Sequence, residues 1–440
     1  MKSSAKIVYL TAGAGGMFCG SCLHDNALAK ALHADGWNLM LVPFYTPIRT
    51  DEQDVSVDQV FFGGINVYLQ QKIPLFRYLP SLFDRVLDNP KLIRRVTKNA
   101  IETDAKMLGS LALSMLKGAQ GNQRKEVQRV CKWLVGEQPD LIVISNILVA
   151  GFVPALKKQM DVPVLVTLQG DDLFLDGLTD EYRSKCIAQI EQIAKHVDGF
   201  IVHSNYFADY MCEYFDLARD RFHVTPLGLD VADFQQFLKR HDSGGVDDQR
   251  DATRTIGYLA RLAPEKGLHN LVEAFVWLKQ QPNTEHIKLR IAGWLGKQNE
   301  AYAEQQWKVL TDAGLGEEFE YLGSLERAEK LKMLGEIDVL SVPTDQKEPK
   351  GLFVLEAMAA GVPVVQPDHG SFPEMIEHTR GGLIYPTGDN QQLAQLLLQL
   401  LSDDRMRIEL ARQGQRSVHE TRCEQTMAET TGEVFARRLK

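Results

Sequence analysis

Short apolar runs alternate with helical patterns along almost the whole chain, and this alternation restricts the fold more than any other feature. Strands are predicted for KIVYL, NLMLVPF, DLIVIS, VPVLVTL, GFIVH, TIGYLA, KLRIAG, FEYLG, DVLSVP and VPVVQ. Between them lie stretches such as HDNALAKALHADG and GLHNLVEAFVWLKQ, with apolar residues three and four apart. Such alternation indicates parallel sheets covered by helices on both faces, with ligands beyond the carboxyl ends of the strands.

The length of the chain predicts two domains. At 440 residues it exceeds the size at which one hydrophobic core keeps growing. The strand and helix pattern occurs on both sides of the polar stretch HDSGGVDDQRDATR. We expect an α/β protein in which two Rossmann-like, doubly wound domains face each other across a cleft. The predicted segments are 1–228, with a helical insertion at about 74–136, then 229–418, and a C-terminal helix in 419–440 that packs back on the first domain.

Composition excludes several functional classes. The net charge of -9 argues against a nucleic-acid partner. No stretch approaches the ~18 consecutive apolar residues of a membrane span, and MKSSAKIVYL lacks a secretory signal, so we expect a soluble, cytoplasmic protein.

The predicted insertion at about 74–136 mixes aromatic and basic residues. It could contact the inner face of the membrane peripherally, line an acceptor groove, or form a solvated helical surface.

The segment AGAGGMFCGSCLHDN, residues 12–26, allows several kinds of chemistry. Its glycines could bring backbone amides close to a phosphate, whereas Cys19 and Cys22 could belong to a metal or redox site. A structural zinc site usually has four ligands, and no second CxxC or paired His motif accompanies these cysteines, so we interpret them as small residues that pack at the start of a helix. A dinucleotide fingerprint is incomplete, because Phe18 stands where its third glycine belongs.

In the second half, TIGYLARLAPEKG places two cations after a predicted strand. Arg261 and Lys266 precede a helix that is predicted to begin near Leu268. Fixed positive charge beside a helix N-terminus favours an anionic ligand such as phosphate. This loop is therefore a candidate phosphate site.

A second loop in this half carries carboxylates. In DVLSVPTDQKEPKGLFVLEAMAAGVPVV, Glu348 lies in a loop and Glu356 in a helix predicted from about Leu352 to Ala360. Gly351 leaves the first amides of that helix open to a phosphate. Two carboxylates would repel an anion, so we assign them to sugar and ribose hydroxyls, which donate hydrogen bonds. The pattern outlines a nucleotide-sugar site.

These motifs resemble the retaining glycosyltransferases of family 4, the glycogen synthase-like or group 1 enzymes of the GT-B fold. The resemblance rests on ARLAPEKG, EPKGLFVLE, AMAAGVPVV and VTPLGLDVADF, which span both predicted domains in order. It implies that Arg261 and Lys266 bind the donor diphosphate, that Glu348 lies at the donor sugar and that Glu356 binds the ribose. It also implies donor-phosphate contacts from the backbone amides of Gly351, Leu352 and Phe353 and from the turn at Gly15 and Gly16.

One position departs from the family pattern. Family 4 enzymes commonly carry a His followed by Gly where this chain has Gln169 in VPVLVTLQGDDLF, while Gly170 and Asp172 match their counterparts. A glutamine donates and accepts hydrogen bonds but carries no proton charge, so we expect Gln169 to make an altered contact to the sugar.

Two further features keep alternatives open. Asp171 and Asp172 could hold a metal at the diphosphate, although cationic side chains and a helix N-terminus already supply positive charge. His24 could reach the cleft or be a packed or surface helix residue.

The predicted function is transfer of a hexose from a nucleoside diphosphate sugar to a hydroxyl of a glycan, lipid-linked or small-molecule acceptor, with retention of configuration. We expect no metal and no cofactor besides the donor substrate. A nucleotide-sugar epimerase of the same fold and a non-catalytic sugar-nucleotide binder remain alternatives.

Overall fold

The computed structural model describes residues 4–13, 20–48, 50, 52–57, 61, 71, 105–239 and 253–439. Gly15, Gly16 and Cys19 lie outside the described residues, as do residues 72–104 of the predicted insertion. The chain divides into two compact units. Unit 1 comprises Met1–Leu227 and Met427–Lys440, and unit 2 comprises Gly228–Thr426.

Unit 1 is built on a six-stranded parallel sheet. Its strands are β1 (Lys6–Thr11), β2 (Asn38–Pro43), β3 (Leu141–Ile144), β4 (Val164–Thr167), β5 (Gly199–Val202) and β6 (Phe222–Val224). They lie in the order β2-β1-β3-β4-β5-β6. The helices are α1 (Gly20–Ala34), α2 (Ala105–Leu116), α3 (Arg124–Glu137), α4 (Val153–Leu156), α5 (Asp171–Asp176), α6 (Asp180–Ala194) and α7 (Asn205–Phe215).

The sheet of unit 1 is buried on both faces. Every residue of β3, β4 and β5 is buried, as expected for central parallel strands beneath two helical layers. Along β1, side chains alternate between two hydrophobic clusters: Val8 and Leu10 belong to one, Ile7 and Tyr9 to the other.

Unit 2 is built on a second six-stranded parallel sheet. Its strands are β7 (Arg254–Leu259), β8 (Ile287–Ala292), β9 (Phe319–Tyr321), β10 (Val339–Leu340), β11 (Val364–Pro367) and β12 (Gly382–Tyr385). Their order is β12-β11-β10-β7-β8-β9. The helices are α8 (Leu268–Lys279), α9 (Glu300–Asp312), α10 (Arg327–Glu336), α11 (Leu352–Ala359), α12 (Phe372–Thr379), α13 (Asn390–Ser402) and α14 (Asp404–Thr421).

The last helix, α15 (Glu424–Arg438), begins in unit 2 and continues into unit 1. Unit 2 extends beyond residue 418 because the Leu229 amide donates to the Arg422 carbonyl and the Glu424 amide donates to the Leu229 carbonyl. From Met427 onward the helix packs on the β1 side of unit 1, where Phe435 meets Trp37 edge to face.

All ten strands predicted from apolar runs are present, which confirms two parallel α/β sheets. The sequence analysis missed β6 and β12, which both lie at a sheet edge. No helix among the described residues is long and apolar enough to span a membrane.

Each sheet has one point at which the strand order reverses. In unit 1 this point lies between β1 and β3, and in unit 2 it lies between β7 and β10. The loops that leave two such strands diverge to opposite faces of the sheet and open a crevice at its carboxyl edge. The fold therefore predicts one ligand position at the carboxyl edge of each sheet.

The packing of α15 gives a stability prediction. Phe435→Ala should lower the stability of unit 1 by roughly 3 to 5 kcal/mol, because it removes a fully buried aromatic ring and leaves a cavity. Differential scanning calorimetry measures this change. Glu433→Ala, which alters an exposed residue of the same helix, should leave the transition unchanged, and equal transitions in both variants would contradict the packing role of Phe435.

Candidate functional site

In unit 2, an ion pair joins the two loops at the switch point. Lys266 follows β7 and Glu348 follows β10, and the Lys266 Nζ lies 2.5 Å from the Glu348 Oε2. Since β7 and β10 are neighbours in the sheet, their carboxyl ends bring these side chains together across 82 positions of sequence. The two residues singled out from separate motifs thus form one group.

Glu348 is a buried carboxylate that several donors stabilise. Its Oε1 accepts hydrogen bonds from the backbone amides of Lys350 (3.3 Å) and Gly351 (3.2 Å). Burial by itself raises the pKa of the Glu348 carboxyl, but the Lys266 ammonium and these amides outweigh burial and lower the pKa below its ordinary value. The group therefore stays ionised at neutral pH.

Both loops are held by neighbouring backbone and side-chain groups. The buried Tyr258 hydroxyl donates to the Lys266 carbonyl at 3.2 Å, which holds the first loop. In the second loop, the Ser371 amide and hydroxyl donate to the Glu348 carbonyl at 2.9 and 3.0 Å. A Cβ at Gly370 would lie 2.6 Å from the Glu348 nitrogen, so this close approach requires glycine.

Arg261 shares the loop of Lys266 but has a different partner. Its Nη2 lies 2.5 Å from the Glu265 Oε1, and the side chain is 43% exposed. The described contacts of Arg261 therefore do not include Glu348. Arg261 is therefore a solvent-exposed cation at the carboxyl end of β7, paired with Glu265.

Glu356 has a buried partner that the sequence analysis did not identify. The Lys330 Nζ, which comes from α10, donates to the Glu356 Oε1 at 2.6 Å, and both side chains are only 10% exposed. Lys330 is the last residue of YLGSLERAEK, which begins at Tyr321, the last residue of β9. Because a lysine is almost never fully buried unless it is paired, Glu356 provides the charge that keeps Lys330 inside.

The N-terminus of α11 faces the same loop. Gly351 precedes the helix with φ 71°, a left-handed conformation that favours glycine. Its amide donates to Glu348, whereas Leu352 and Phe353 are the first helical residues, whose amides lack carbonyl partners within the helix. These amides are positioned for an external acceptor.

In unit 1, Gln169 belongs to a network centred on Asp25. The Gln169 side-chain amide follows β4 and donates to the Asp25 Oδ1 at 3.0 Å and to the Ser145 carbonyl at 3.4 Å. Asp25 is fully buried and also accepts from the Tyr9 hydroxyl at 2.9 Å and the Thr11 hydroxyl at 2.6 Å. Both N–H groups of Gln169 are thus directed to protein acceptors.

His24 is a packed residue of α1 and a member of this network. Its Nδ1 donates to the Asp25 Oδ1 at 3.1 Å. Its ring lies 4.4 Å, centroid to centroid, from the ring of His203, whose Nδ1 donates to the Thr225 carbonyl at 3.0 Å. The described part of the chain thus places two imidazoles together at the carboxyl edge of the sheet.

The neighbouring aspartates differ in their roles. Asp171 accepts the Ile147 amide at 2.8 Å on Oδ1 and the Gln169 amide at 2.9 Å on Oδ2, so both of its oxygens hold backbone. Burial and the nearby Asp171 carboxylate raise the pKa of Asp172 from 3.8 to about 7. Within the described ranges, no cluster of three or more His, Cys, Asp or Glu side chains is arranged to hold a metal ion.

Two other features lie apart from these networks. Cys22 is a buried, reduced cysteine in the first turn of α1. A cavity of about 850 Å³ in unit 1 is lined by residues that include Trp37, Asp140 and Pro163, which precede β2, β3 and β4. It therefore lies at the amino edge of the sheet, away from Gln169.

Two family models match the chain. The model described as "Glycosyl transferases group 1" matches residues 246–417, and the model described as "Glycosyltransferase Family 4" matches residues 115–233. Together they cover about two thirds of the chain: the first match lies in unit 2, and the second lies in unit 1 up to residue 227 and ends at residue 233. The chain belongs to the family 4 glycosyltransferases.

Curated relatives of this glycosyltransferase include the amylovoran biosynthesis glycosyltransferase AmsK of Erwinia amylovora, 30% identical over 41% of this chain and 42% of the relative. A D-inositol 3-phosphate glycosyltransferase of Corynebacterium jeikeium is 26% identical over 53% of this chain and 56% of the relative. The glycogen synthase of Mycobacterium tuberculosis is 27% identical over 68% of this chain and 69% of the relative. The chain spans about half the length of the first two relatives.

Solved structures show the same fold as this glycosyltransferase. The Anabaena protein HepE, determined in complex with UDP, matches with a TM-score of 0.68 and 17% identity over 98% of this chain and 100% of its own. The sucrose-phosphate synthase of Thermosynechococcus elongatus matches with the same TM-score and identity over 98% of both chains. The fold is GT-B, as predicted.

Several residues of the two networks described above were not predicted: Tyr9, Asp25, Ser145 and His203 in unit 1, and Tyr258 and Lys330 in unit 2. A signal existed for Asp25, because the polar triplet HDN interrupts the buried face of an otherwise apolar helix pattern. No local signal marks Lys330, which belongs to a segment rich in charged residues and is buried only through Glu356.

The raised pKa of Asp172 predicts a pH effect on stability. Between pH 3.8, the ordinary pKa, and about 7, the folded chain holds a proton that the unfolded chain has lost, so stability falls as pH rises. Asp172→Asn removes this effect and should stabilise unit 1 by roughly 2 to 4 kcal/mol at pH 8 and by much less at pH 4.

Thermal unfolding at pH 4, 6 and 8 tests this prediction. Asp220→Asn, which alters an exposed carboxylate of unit 1, is the control and should show little change at any pH. A gain for Asp172→Asn that is constant across the three pH values would contradict the prediction.

Proposed function

We propose that this protein is a retaining glycosyltransferase that moves a hexose from a nucleoside diphosphate sugar to an acceptor hydroxyl. The observation that carries the proposal is the Lys266 and Glu348 pair beside the N-terminus of α11. One ammonium and the free amides of Leu352 and Phe353 converge at one loop, which suits a diphosphate. The Anabaena protein HepE, crystallised with UDP and with UDP-glucose, supports a donor of this class.

In the proposed reaction, the bond between the anomeric carbon and the phosphate oxygen breaks while the acceptor oxygen bonds to that carbon. The acceptor proton passes to the departing phosphate oxygen on the same face, which gives retention. The protein contributes electrostatic stabilisation of the negative charge that develops on the diphosphate. Lys266 and the α11 amides, joined by the exposed Arg261, are the groups assigned to this role.

The two carboxylates bind hydroxyl groups in this proposal. Glu348 is held ionised and accepts a hydrogen bond from the donor sugar. Glu356 accepts from the ribose, while Lys330 remains its counter-ion.

The central prediction concerns Lys266. Lys266→Ala should weaken donor binding about tenfold to a hundredfold and slow transfer, because a charge-assisted contact is worth about 1.5 to 3 kcal/mol. Arg261→Ala should act in the same direction. Lys288→Ala, which removes an exposed lysine paired with Glu318, is the matched control and should leave both quantities unchanged.

Calorimetric binding of UDP-, GDP- and ADP-glucose, with nucleotide release in the presence of mono- and disaccharides, glycerol and inositol, measures these effects. Product analysis separates transfer from epimerisation, and binding without any release would indicate a sugar-nucleotide binder. Unchanged donor affinity and rate in both variants would remove Lys266 and Arg261 from the site.

We also propose that the reaction needs no divalent metal. The aspartates that could clamp a metal at the diphosphate are poor ligands here, because both oxygens of Asp171 accept backbone amides and Asp172 is partly protonated near pH 7. Nucleotide release should therefore persist in excess EDTA. Loss of release in EDTA that magnesium or manganese restores would contradict this proposal.

A further inference from the structure

We propose that His24 binds a hydroxyl group of the acceptor through Nε2 and that Asp25 positions its ring. The proposal rests on the proposed transferase function. It gives a binding role to His24, which lies in unit 1. The groups that we assign to the sugar-nucleotide donor lie in unit 2.

The orientation of the His24 ring follows from its partner. Asp25 is fully buried and its oxygens accept hydrogen bonds, so the nitrogen of His24 that faces it, Nδ1, carries a proton. In the neutral imidazole, Nε2 is then a hydrogen-bond acceptor. A carboxylate that orients a histidine in this way leaves the opposite nitrogen ready for a ligand.

The Nε2 atom of His24 is buried and has no hydrogen-bond partner among the described residues. A buried polar atom without a partner costs roughly 1 to 3 kcal/mol, so such atoms in folded proteins call for a specific explanation. A ligand hydroxyl that donates to Nε2 explains it. The place fits, because Asp25 also accepts from Gln169 and Thr11, at the carboxyl ends of β4 and β1.

A second buried atom, at the start of α5 and three residues after Gln169, points to the same class of ligand. The Asp172 Oδ1 is buried and has no hydrogen-bond partner within the described part of the chain. Asp172 directly follows Asp171, whose side chain accepts the backbone amide of Gln169. The side-chain amide of Gln169 in turn donates to Asp25. A hydroxyl group both donates and accepts hydrogen bonds, so this class of ligand suits an imidazole nitrogen as well as a carboxyl group.

The acceptor is favoured over the donor as the ligand of His24. The described groups suited to a diphosphate, Lys266 and the α11 amides, belong to unit 2, whereas His24 belongs to unit 1. The described hydrogen-bond donors to Asp25 are hydroxyl, amide and imidazole groups. Such a network suits an uncharged, hydroxyl-bearing compound better than a phosphate.

Two substitutions of His24 separate ligand binding from packing. In His24→Asn the amide nitrogen can take the place of Nδ1 and keep the hydrogen bond to Asp25, but nothing replaces Nε2. In His24→Gln the longer side chain can place an oxygen near the position of Nε2. Asp25→Asn tests the positioning role, because it weakens the constraint on the ring while keeping its size.

The assay uses UDP-, GDP- and ADP-glucose as donors and, as acceptors, the mono- and disaccharides, glycerol and inositol that support nucleotide release by the wild type. His24→Asn should raise the acceptor KM at least about tenfold and leave the donor Kd and the acceptor-free hydrolysis of the donor within about twofold. His24→Gln should recover most of the acceptor KM. Asp25→Asn should raise the acceptor KM with a smaller change in kcat, and thermal unfolding shows that each variant is folded.

An unchanged acceptor KM in His24→Asn, with active wild type, would overturn the inference and leave the proposed function intact. Slower acceptor-free donor hydrolysis in His24→Asn would also overturn it, because the contact would then be to the donor. If the wild type releases no nucleotide with any acceptor, the proposed function fails and the inference fails with it.

Discussion

A buried carboxylate has to be supplied with hydrogen-bond donors, and this requirement organises the functional end of each unit. Asp25 in unit 1 and Glu348 in unit 2 are both buried close to the point where the strand order of their sheet reverses. An unpaired charge there would cost several kcal/mol. Loops from different strands converge on each carboxylate, and the positions of Gln169 and Lys266 follow from this convergence.

The two carboxylates are satisfied in different ways, and the difference has a functional meaning. Glu348 is balanced by an ammonium, so its loop keeps a cation beside the amides of α11. Asp25 is surrounded by hydroxyl, amide and imidazole donors. Fixed positive charge suits the diphosphate of a nucleotide sugar, whereas neutral donors around a carboxylate suit the hydroxyls of a sugar or polyol. The division of labour that we propose between the units has this electrostatic basis.

The pair of Lys330 and Glu356 adds a second buried charge pair to unit 2. Replacing either member would leave a buried charge without a counter-ion, which is more costly than the pair itself is stabilising. This pair joins α10 to α11, and α11 is the helix whose first turn offers the free amides. The geometry of the amides therefore depends on a contact far along the chain from Gly351.

The sequence by itself determined the elements whose signal is local: ten apolar runs became strands, and α8 and α11 begin at the residues that spacing and glycine predicted. It missed β6 and β12, since short strands at a sheet edge are only partly buried and lack a continuous apolar run. It also selected Lys266, Glu348, Gln169 and His24 as candidates. Only the tertiary structure decided their partners, because Gln169 and Asp25 are 144 positions apart and Lys266 and Glu348 are 82 apart. The spacing of apolar residues predicts which side chains are buried. The order of strands in the sheet decides which of those side chains meet, and that order results from the packing of the whole unit.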